Sequence, residues 1–258
     1  MEVEIVTLSR QGERKYNEDA HGHWHDERYV ACLVADGAGG HGGGDVAAAT
    51  ARGSVLAGFA AAPGLEAEGL RRLLEQANLD VVARQAEGGT LAAMRSTLVL
   101  AAIDLHDNQL AWAHTGDSRA YLFRGGTVLA RTVDHSLVQQ MVAGGMIDEE
   151  GARLHPQRSL LLSALGSVDE ALETTASASM PLLAGDVLLL CSDGVWEPLG
   201  DACLCETLRA SRTPSKWVEQ IDTQIKAQAR LGQDNYTAVV VWLHEEGADD
   251  TTHLLVAT

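Results

Sequence analysis

The sequence contains few aromatic side chains and no long apolar run. Aromatic residues make up 4% of the 258 positions, so a folded core must be built mainly from the aliphatic side chains among the 46% of residues that are hydrophobic. No segment approaches the roughly 20 apolar residues that a membrane helix requires. The acidic start of the chain lacks the features of a signal peptide. We therefore expect a cytoplasmic protein without a membrane partner.

Basic residues are also scarce, and this excludes polyanionic partners. The chain has 19 Lys and Arg residues against 36 Asp and Glu residues, giving a formal net charge of −17. A surface of this charge repels nucleic acids and anionic membranes. It favours the binding of cations, although many carboxylates are equally typical of an ordinary solvated surface.

Cysteine is limited to four residues, and their spacing is not that of a zinc site. Cys32 and Cys191 lie within apolar runs, where we expect small buried side chains. Cys203 and Cys205 form a C-x-C pair without the second pair that a tetrahedral site needs. A reducing compartment fits this usage.

Apolar patterns along the chain predict one domain that mixes strands and helices. Short apolar runs predict strands over Val3–Leu8, Tyr29–Ala35, Ser96–Leu105, Leu110–Thr115, Ala120–Phe123, Thr127–Arg131, Val187–Cys191 and Tyr236–Leu243. Helical patterns predict helices over Asp45–Ala61, Glu66–Ala86, Ser136–Val142, Asp148–Leu154 and Pro214–Ala229. This order lacks the alternation of a doubly wound fold. It favours antiparallel sheets covered by helices, an α+β fold over residues 1–244, followed by an acidic tail over 245–258.

Four aspartates stand next to apolar strands and are the candidate chemical groups. Asp36, Asp117 and Asp193 each follow such a run, and Asp234 precedes one. Strand ends of one sheet can converge, and buried carboxylates are costly unless they are paired or bound to metal. Hard oxygen ligands suit Mg²⁺ or Mn²⁺. The competing interpretation is that the Asp-Gly pairs simply form turns.

Six segments in a fixed order resemble the type-2C metal-dependent serine/threonine protein phosphatases (the PPM class), in particular their stand-alone bacterial branch. They are Arg14–Asp19, Val34–His41, Thr115–Tyr121, Asp134–Ser136, Ser192–Trp196 and Asp234–Thr237. The resemblance spans about Arg10 to Trp242. It implies a four-layer αββα sandwich of two antiparallel sheets flanked by helices. It also implies hydrolysis of phosphoserine and phosphothreonine by a hydroxide that bridges two metal ions.

The resemblance further implies a set of metal ligands. Asp36 would bridge two Mn²⁺ or Mg²⁺ ions, and the Gly37 carbonyl would be a further ligand. Asp193 and Asp234 would complete the first metal site, and Asp117 would serve a third ion. The glycine-rich run from Gly37 lacks the Lys-Ser/Thr of a nucleotide-binding loop and is consistent with a close approach of the backbone to a ligand.

Three more residues receive roles from the same resemblance. Glu18 and Asp19 would hold metal-bound waters, and Arg14 would grip the substrate phosphate through its guanidinium fork. Animal members carry a histidine directly after the Asp-Gly pair as a proposed general acid. This chain has Ala38 there, and His41 is the nearest candidate catalytic histidine.

Several alternatives stay open at this point. Arg95 replaces a glycine of the family pattern and could reshape its strand or add a positive group. His21, His23 and His25 alternate on one strand face, as an exposed edge or as a transition-metal site. In the resemblance, residues 144–160 correspond to the mobile flap of the bacterial relatives. The expected partners are phosphorylated proteins, including a serine/threonine kinase; a metabolite phosphatase and a non-catalytic phosphoprotein scaffold are the competing functions.

Overall fold

The computed structural model describes residues 1–38, 43–168, 171–228 and 232–245, so the predicted tail lies outside it apart from Glu245. The elements follow in the order β1 (Glu2–Arg10), β2 (Asp19–His25), β3 (Tyr29–Ala38), α1 (Gly44–Ala61), α2 (Ala67–Gln85), β4 (Arg95–Ser96), β5 (Leu98–Asp104), β6 (Gln109–Thr115), β7 (Arg119–Arg124), β8 (Thr127–Arg131), α3 (Leu137–Ala143), α4 (Glu149–Leu154), β9 (Thr175–Ala176), β10 (Met180–Pro181), β11 (Val187–Cys191), α5 (Asp193–Ala210), α6 (Pro214–Ala227) and β12 (Tyr236–His244).

Two antiparallel sheets form the centre of the molecule. The first has the order β1-β12-β11-β7-β8, and the second has the order β10-β6-β5-β3-β2, with β4 added to β3 and β9 added to β6. Strands β1 and β2 are therefore edge strands of different sheets. Residues 1–38 thus contribute the first strand to one sheet and the next two strands to the other.

Three apolar layers hold the sheets and helices together and confirm the predicted four-layer αββα sandwich. Aliphatic side chains such as Ile5, Val34 and Leu190 fill the space between the sheets. The second sheet packs against α1 and α2, and the first packs against α5 and α6. The scarce aromatic residues concentrate in the outer layers, where Phe123 and Trp217 meet edge to face at 5.3 Å. No helix in the described ranges has the length and apolarity to cross a membrane.

Most predicted elements are confirmed, and the differences have local causes. Gly125 and Gly126 form the predicted hairpin turn, with φ values of 58° and 74°. The strand predicted over Ser96–Leu105 divides at Thr97 into β4 and β5. Helix α5 was missed because Pro198 and Gly200 interrupt its pattern, and Gly200 breaks the helix with a φ of 66°.

Candidate active site

The four predicted aspartates converge on one cavity of about 580 Å³. Asp36 lies near the end of β3 in the second sheet. Asp117 precedes β7, Asp193 begins α5 after β11, and Asp234 precedes β12, all on the first sheet. The cavity is lined by Arg14, Lys15, Tyr16, Glu18, Asp36, Gly37, Ala38, Thr97, Asp117, Ser159, Leu161, Asp193, Asp234 and Asn235. The candidate site is therefore built by both sheets together.

Backbone and hydroxyl contacts fix the position of Asp36. Its amide donates to Thr97 Oγ1 at 3.1 Å, and its carbonyl accepts from the Thr97 amide at 2.8 Å. Thr97 is in turn hydrogen-bonded to Ser118 Oγ at 2.7 Å. Gly37 is required at the next position, because a β-carbon there would collide with the Gly44 carbonyl at the start of α1. The glycine thus permits a close approach between β3 and the start of α1, and the approach to a ligand expected from the sequence stays a prediction.

The carboxylates carry more negative charge than the surrounding chain neutralises. Burial, and then repulsion from Asp19 and Asp193, raises the pKa of Asp36 well above its usual range. Burial, followed by repulsion from Asp117, does the same to the pKa of Asp193. Burial raises the pKa of Asp117 to about 7 and the pKa of Asp19 to about 6. Such shifts mark a site that lacks counter-charge.

The donor set fits divalent cations with oxygen preference. Asp193 Oδ1 and Asp19 Oδ1 are buried and have no hydrogen-bond partner, so each has a lone pair free for a ligand or an ordered water. All candidate donors are carboxylate or carbonyl oxygens, the ligands that Mg²⁺ and Mn²⁺ prefer. The shell is not closed: within the described ranges, no three His, Cys, Asp or Glu side chains meet around one point.

Arg14 lies at the mouth of the cavity and contacts one of the candidate ligands. Its Nη2 donates to Asp234 Oδ2 at 2.5 Å, while 55% of the Arg14 side chain remains exposed. An exposed ion pair is weak and exchanges readily. Arg14 is therefore close enough to the carboxylates to contact a bound oxyanion, and the ion pair is its contact in this structure.

Glu18 and Asp19 lie beside the candidate aspartates, and their role in holding metal-bound waters stays a prediction. Glu18 lines the cavity, and Asp19 Oδ2 accepts a hydrogen bond from Ser192 Oγ at 2.9 Å. Asp19 also pairs with Asp36 across β2 and β3. Both side chains are thus within the acidic cluster. His41, the candidate catalytic histidine, lies outside the described residues.

Asn235 positions the loop that carries Arg14, and sequence reasoning quoted it only as part of a motif. Its Nδ2 donates to the carbonyls of Gln11 and Tyr16 at 2.7 and 2.9 Å, and its Oδ1 accepts from the Glu18 amide at 2.9 Å. These three bonds hold the loop that carries Arg14 against the start of β12. The signal available in the sequence was an Asn between a candidate ligand and an apolar strand.

The predicted flap contacts the acidic cavity at one end. Ser159 and Leu161 line the cavity, and the neighbouring Arg158 forms an ion pair with Glu197 in the first turns of α5. Trp196, next to Glu197, donates from Nε1 to the Asp117 carbonyl at 2.9 Å. The segment over 144–160 is thus linked through α5 to a candidate metal ligand.

Arg95 and a Cys-x5-Arg pair both lie outside the set of residues that line the cavity. Arg95 pairs with Ala38 through β4 and donates to the Met94 carbonyl, and it is not among the residues lining the cavity. Cys203 and Arg209 have the Cys-x5-Arg spacing of a cysteine phosphatase, which sequence reasoning overlooked. Both lie within helix α5 rather than in a loop, and burial raises the pKa of the Cys203 thiol, which opposes a nucleophilic role.

Comparisons with known proteins agree with this arrangement. A family model described as protein phosphatase 2C matches residues 8–233. The serine/threonine phosphatase Stp of Listeria innocua is 34% identical over 234 residues, which cover 88% of this chain and 90% of the relative. The crystal structure of the Mycobacterium tuberculosis serine/threonine phosphatase PstP/Ppp matches with a TM-score of 0.79 and 31% identity, over 95% of this chain and 100% of that one. The catalytic domain of PstP in complex with two manganese ions matches with a TM-score of 0.77 and 29% identity, over 94% and 99%.

Proposed function

The chain belongs to the protein phosphatase 2C family of serine/threonine phosphatases, and we propose that its acidic cavity performs the hydrolysis with two or three divalent cations. The observation that carries this proposal is the convergence of Asp36, Asp117, Asp193 and Asp234 on a cavity where Arg14 is the cation that contacts one of them. An oxyanion substrate would not enter so negative a cavity without cations.

The proposed ligands are the carboxylates and one carbonyl. Asp36 and the Gly37 carbonyl, with Asp193 and Asp234, would hold the first two ions, and Asp117 would hold a third. The unpartnered Asp193 oxygen and the raised pKa values of Asp36 and Asp193 support this assignment. The ions would be Mn²⁺ or Mg²⁺, and the two manganese ions of the PstP structure support that choice.

Bound cations would supply an activated water as the nucleophile and would neutralise the phosphoryl oxygens. Arg14 would leave Asp234 and bind two phosphoryl oxygens through its fork, which orients the phosphorus toward the acidic cluster. Glu18 and Asp19 would accept hydrogen bonds from waters at the rim of the cluster. Asn235 would keep the Arg14 loop in position, because it ties that loop to β12.

The leaving alkoxide needs a proton, and His41 remains the predicted donor. His41 follows Asp36 by five residues. Direct attack of an activated water on phosphorus would need no covalent phosphoenzyme. The substrates would be phosphorylated proteins, including a serine/threonine kinase, in the cytoplasm. Two relatives are named serine/threonine phosphatases, and this supports phosphorylated proteins as the class of substrate.

Hydrolysis of a phosphothreonine peptide, with and without Mn²⁺, tests the proposal. We expect phosphate release with Mn²⁺ or Mg²⁺ and its loss after treatment with a chelator. Activity that survives complete chelation would contradict a cation-dependent mechanism. Faster hydrolysis of small phosphometabolites than of phosphopeptides would instead favour the metabolite phosphatase. Tight binding of phosphopeptide without any turnover would favour the scaffold.

A further inference from the structure

A second cavity of about 560 Å³ lies on the side of the molecule where both sheets have an edge. We call it the edge groove. It is formed by β1, β2 and α1, and its polar lining consists of Thr7, Ser9, Arg10, His21, His23 and Arg52. None of these residues has a role in the proposed hydrolysis. A cavity of this size is in the range of small-ligand sites.

The edge groove is a polar break in the apolar layer between the sheets. Successive residues of a strand alternate between faces. On β1, Val3 and Ile5 pack in the layer between the sheets, and Thr7 and Ser9 continue the same face with hydroxyl groups. His21 and His23 of β2 provide the opposite wall. The change from apolar to polar side chains therefore creates a lined groove in place of packed core.

Positive charge gathers in this groove of a protein with a net charge of −17. Arg52 extends from α1 across Gly22, where a β-carbon would touch the Arg52 stem and Leu56. No carboxylate pairs with Arg52 in the part of the chain that the structure describes. Arg10 has a contact with Asp222, but it is long, at 3.8 Å. Arg52 is thus free to pair with a ligand.

The histidines offer hydrogen bonds that the protein does not use. His21 Nδ1 is buried and has no partner. Burial, and then the nearby Arg52, lowers the pKa of His21, and burial lowers the pKa of His23. Each ring in its neutral form has one nitrogen that can donate a hydrogen bond. The positive charge of Arg52 beside His21 opposes a transition metal. The groove therefore favours an anion over the metal site that the His alternation left open.

We infer that the edge groove binds a phosphate-class oxyanion, held by Arg52 and by donors from His21, His23 and Thr7. The anion could be free phosphate or a second phosphoryl group of the substrate. The second source rests on the proposed function. A second phosphoryl group of the substrate could reach the groove from the acidic cavity, because His21 follows Asp19 by two residues on one strand face, about 7 Å along β2.

The direct test is a titration of metal-free protein with inorganic phosphate at constant ionic strength, followed by the NMR signals of the histidine rings. We expect saturable shifts at His21 and His23 and none at exposed His25. Arg52→Gln should abolish the shifts, whereas Arg72→Gln on α2 and Arg14→Ala in the catalytic cavity should leave them. Equal shifts in all three histidines, or unchanged shifts in Arg52→Gln, would overturn the inference. Binding of Zn²⁺ at His21 and His23 in place of phosphate would also overturn it.

A kinetic comparison identifies the source of the anion. Peptides with phosphates about two to four residues apart are compared with singly phosphorylated peptides. If the substrate supplies the anion, Arg52→Gln should lower kcat/KM about two- to fivefold for the doubly phosphorylated peptides alone. An equal effect on both peptides, together with NMR binding, would assign the groove to free phosphate. Absence of all turnover would count against the proposed function only. The NMR titration needs no catalysis, so it tests the groove separately.

Discussion

Buried carboxylates occur in two settings in this protein, and they differ in their counter-charge. Asp186 and Asp134 are buried beside arginines, with bidentate hydrogen bonds from Arg124 and Arg119 at 2.7 and 2.8 Å. Asp36 and Asp193 lie in the acidic cavity, where no arginine of the described ranges contacts them in this way. The first setting is complete within the chain, and the second is completed only by a ligand.

The difference teaches how to separate structural from functional acids. Burial opposes ionisation of Asp104, yet hydrogen bonds from Arg28 and two backbone amides lower its pKa. Burial and neighbouring carboxylates instead raise the pKa of Asp36. An acid whose pKa the fold lowers contributes stability at neutral pH, whereas an acid whose pKa the fold raises costs stability there until a cation binds.

The strongest test of this comparison removes the charge of an unneutralised acid. Asp36→Asn should reduce kcat/KM by roughly 10²-fold or more, because the proposed bridging ligand is lost. The same variant should raise the melting temperature of the metal-free protein at pH 7, because it removes a carboxyl group whose raised pKa costs stability at that pH. Asp193→Asn should behave alike, and exposed Asp107→Asn is the control. Wild-type activity in both variants would show that the ligands lie elsewhere.

Acid denaturation extends the comparison to a buried base. Burial lowers the pKa of His114 to about 4, and its ring stacks on His135 at 4.5 Å. A base with a depressed folded pKa stabilises the protein above about pH 6.5, and this stability is lost as the pH falls toward 4. His114→Asn should remove about 3 kcal/mol of that pH dependence. Parallel stability curves for variant and wild type between pH 7 and 4 would contradict the burial argument.

Removing a neutralised acid should have the opposite signature. Asp186→Asn leaves Arg124 without its partner, and we expect a loss of about 2 kcal/mol in the free energy of unfolding, reduced from the fully buried case because Arg124 is partly exposed. The kcat and KM of the folded enzyme should not change. Denaturant unfolding and phosphopeptide kinetics on one preparation check both points. A fall in kcat with an unchanged free energy of unfolding would show that Asp186 acts in function and not in structure.

The smallest effect concerns the exposed pair of Arg14 and Asp234. Arg14→Ala should raise KM for phosphopeptide more than it lowers kcat, because phosphate is charged in both the ground and the transition state. We expect about a tenfold loss in kcat/KM, since the side chain is half exposed. Calorimetric titration with Mn²⁺ should give near wild-type affinity, with Arg14→Lys as an intermediate variant. Loss of metal binding in Arg14→Ala would make the arginine structural.

Much of the fold was readable from the sequence where periodicity is strong. The strands at Tyr29, Leu110, Val187 and Tyr236 and helices α1, α2 and α6 agree with their apolar patterns to within a few residues. Two-residue strands such as β9 leave no pattern to read. Asn235 could not be assigned in advance because its three partners lie more than 200 positions away in the chain.

The sequence by itself determined the residue types of the acidic cavity and the helices and strands that carry them. Apolar patterns predict those elements locally, and the aspartates at their ends can be read directly. Only the tertiary structure decided which acids share a cavity and which meet an arginine. Asp36, Asp193 and Asp104 all follow apolar runs of similar character. Arg28, 76 positions away in the chain, donates hydrogen bonds to Asp104. Counter-charge is set by distances through space, and those depend on the packing of both sheets.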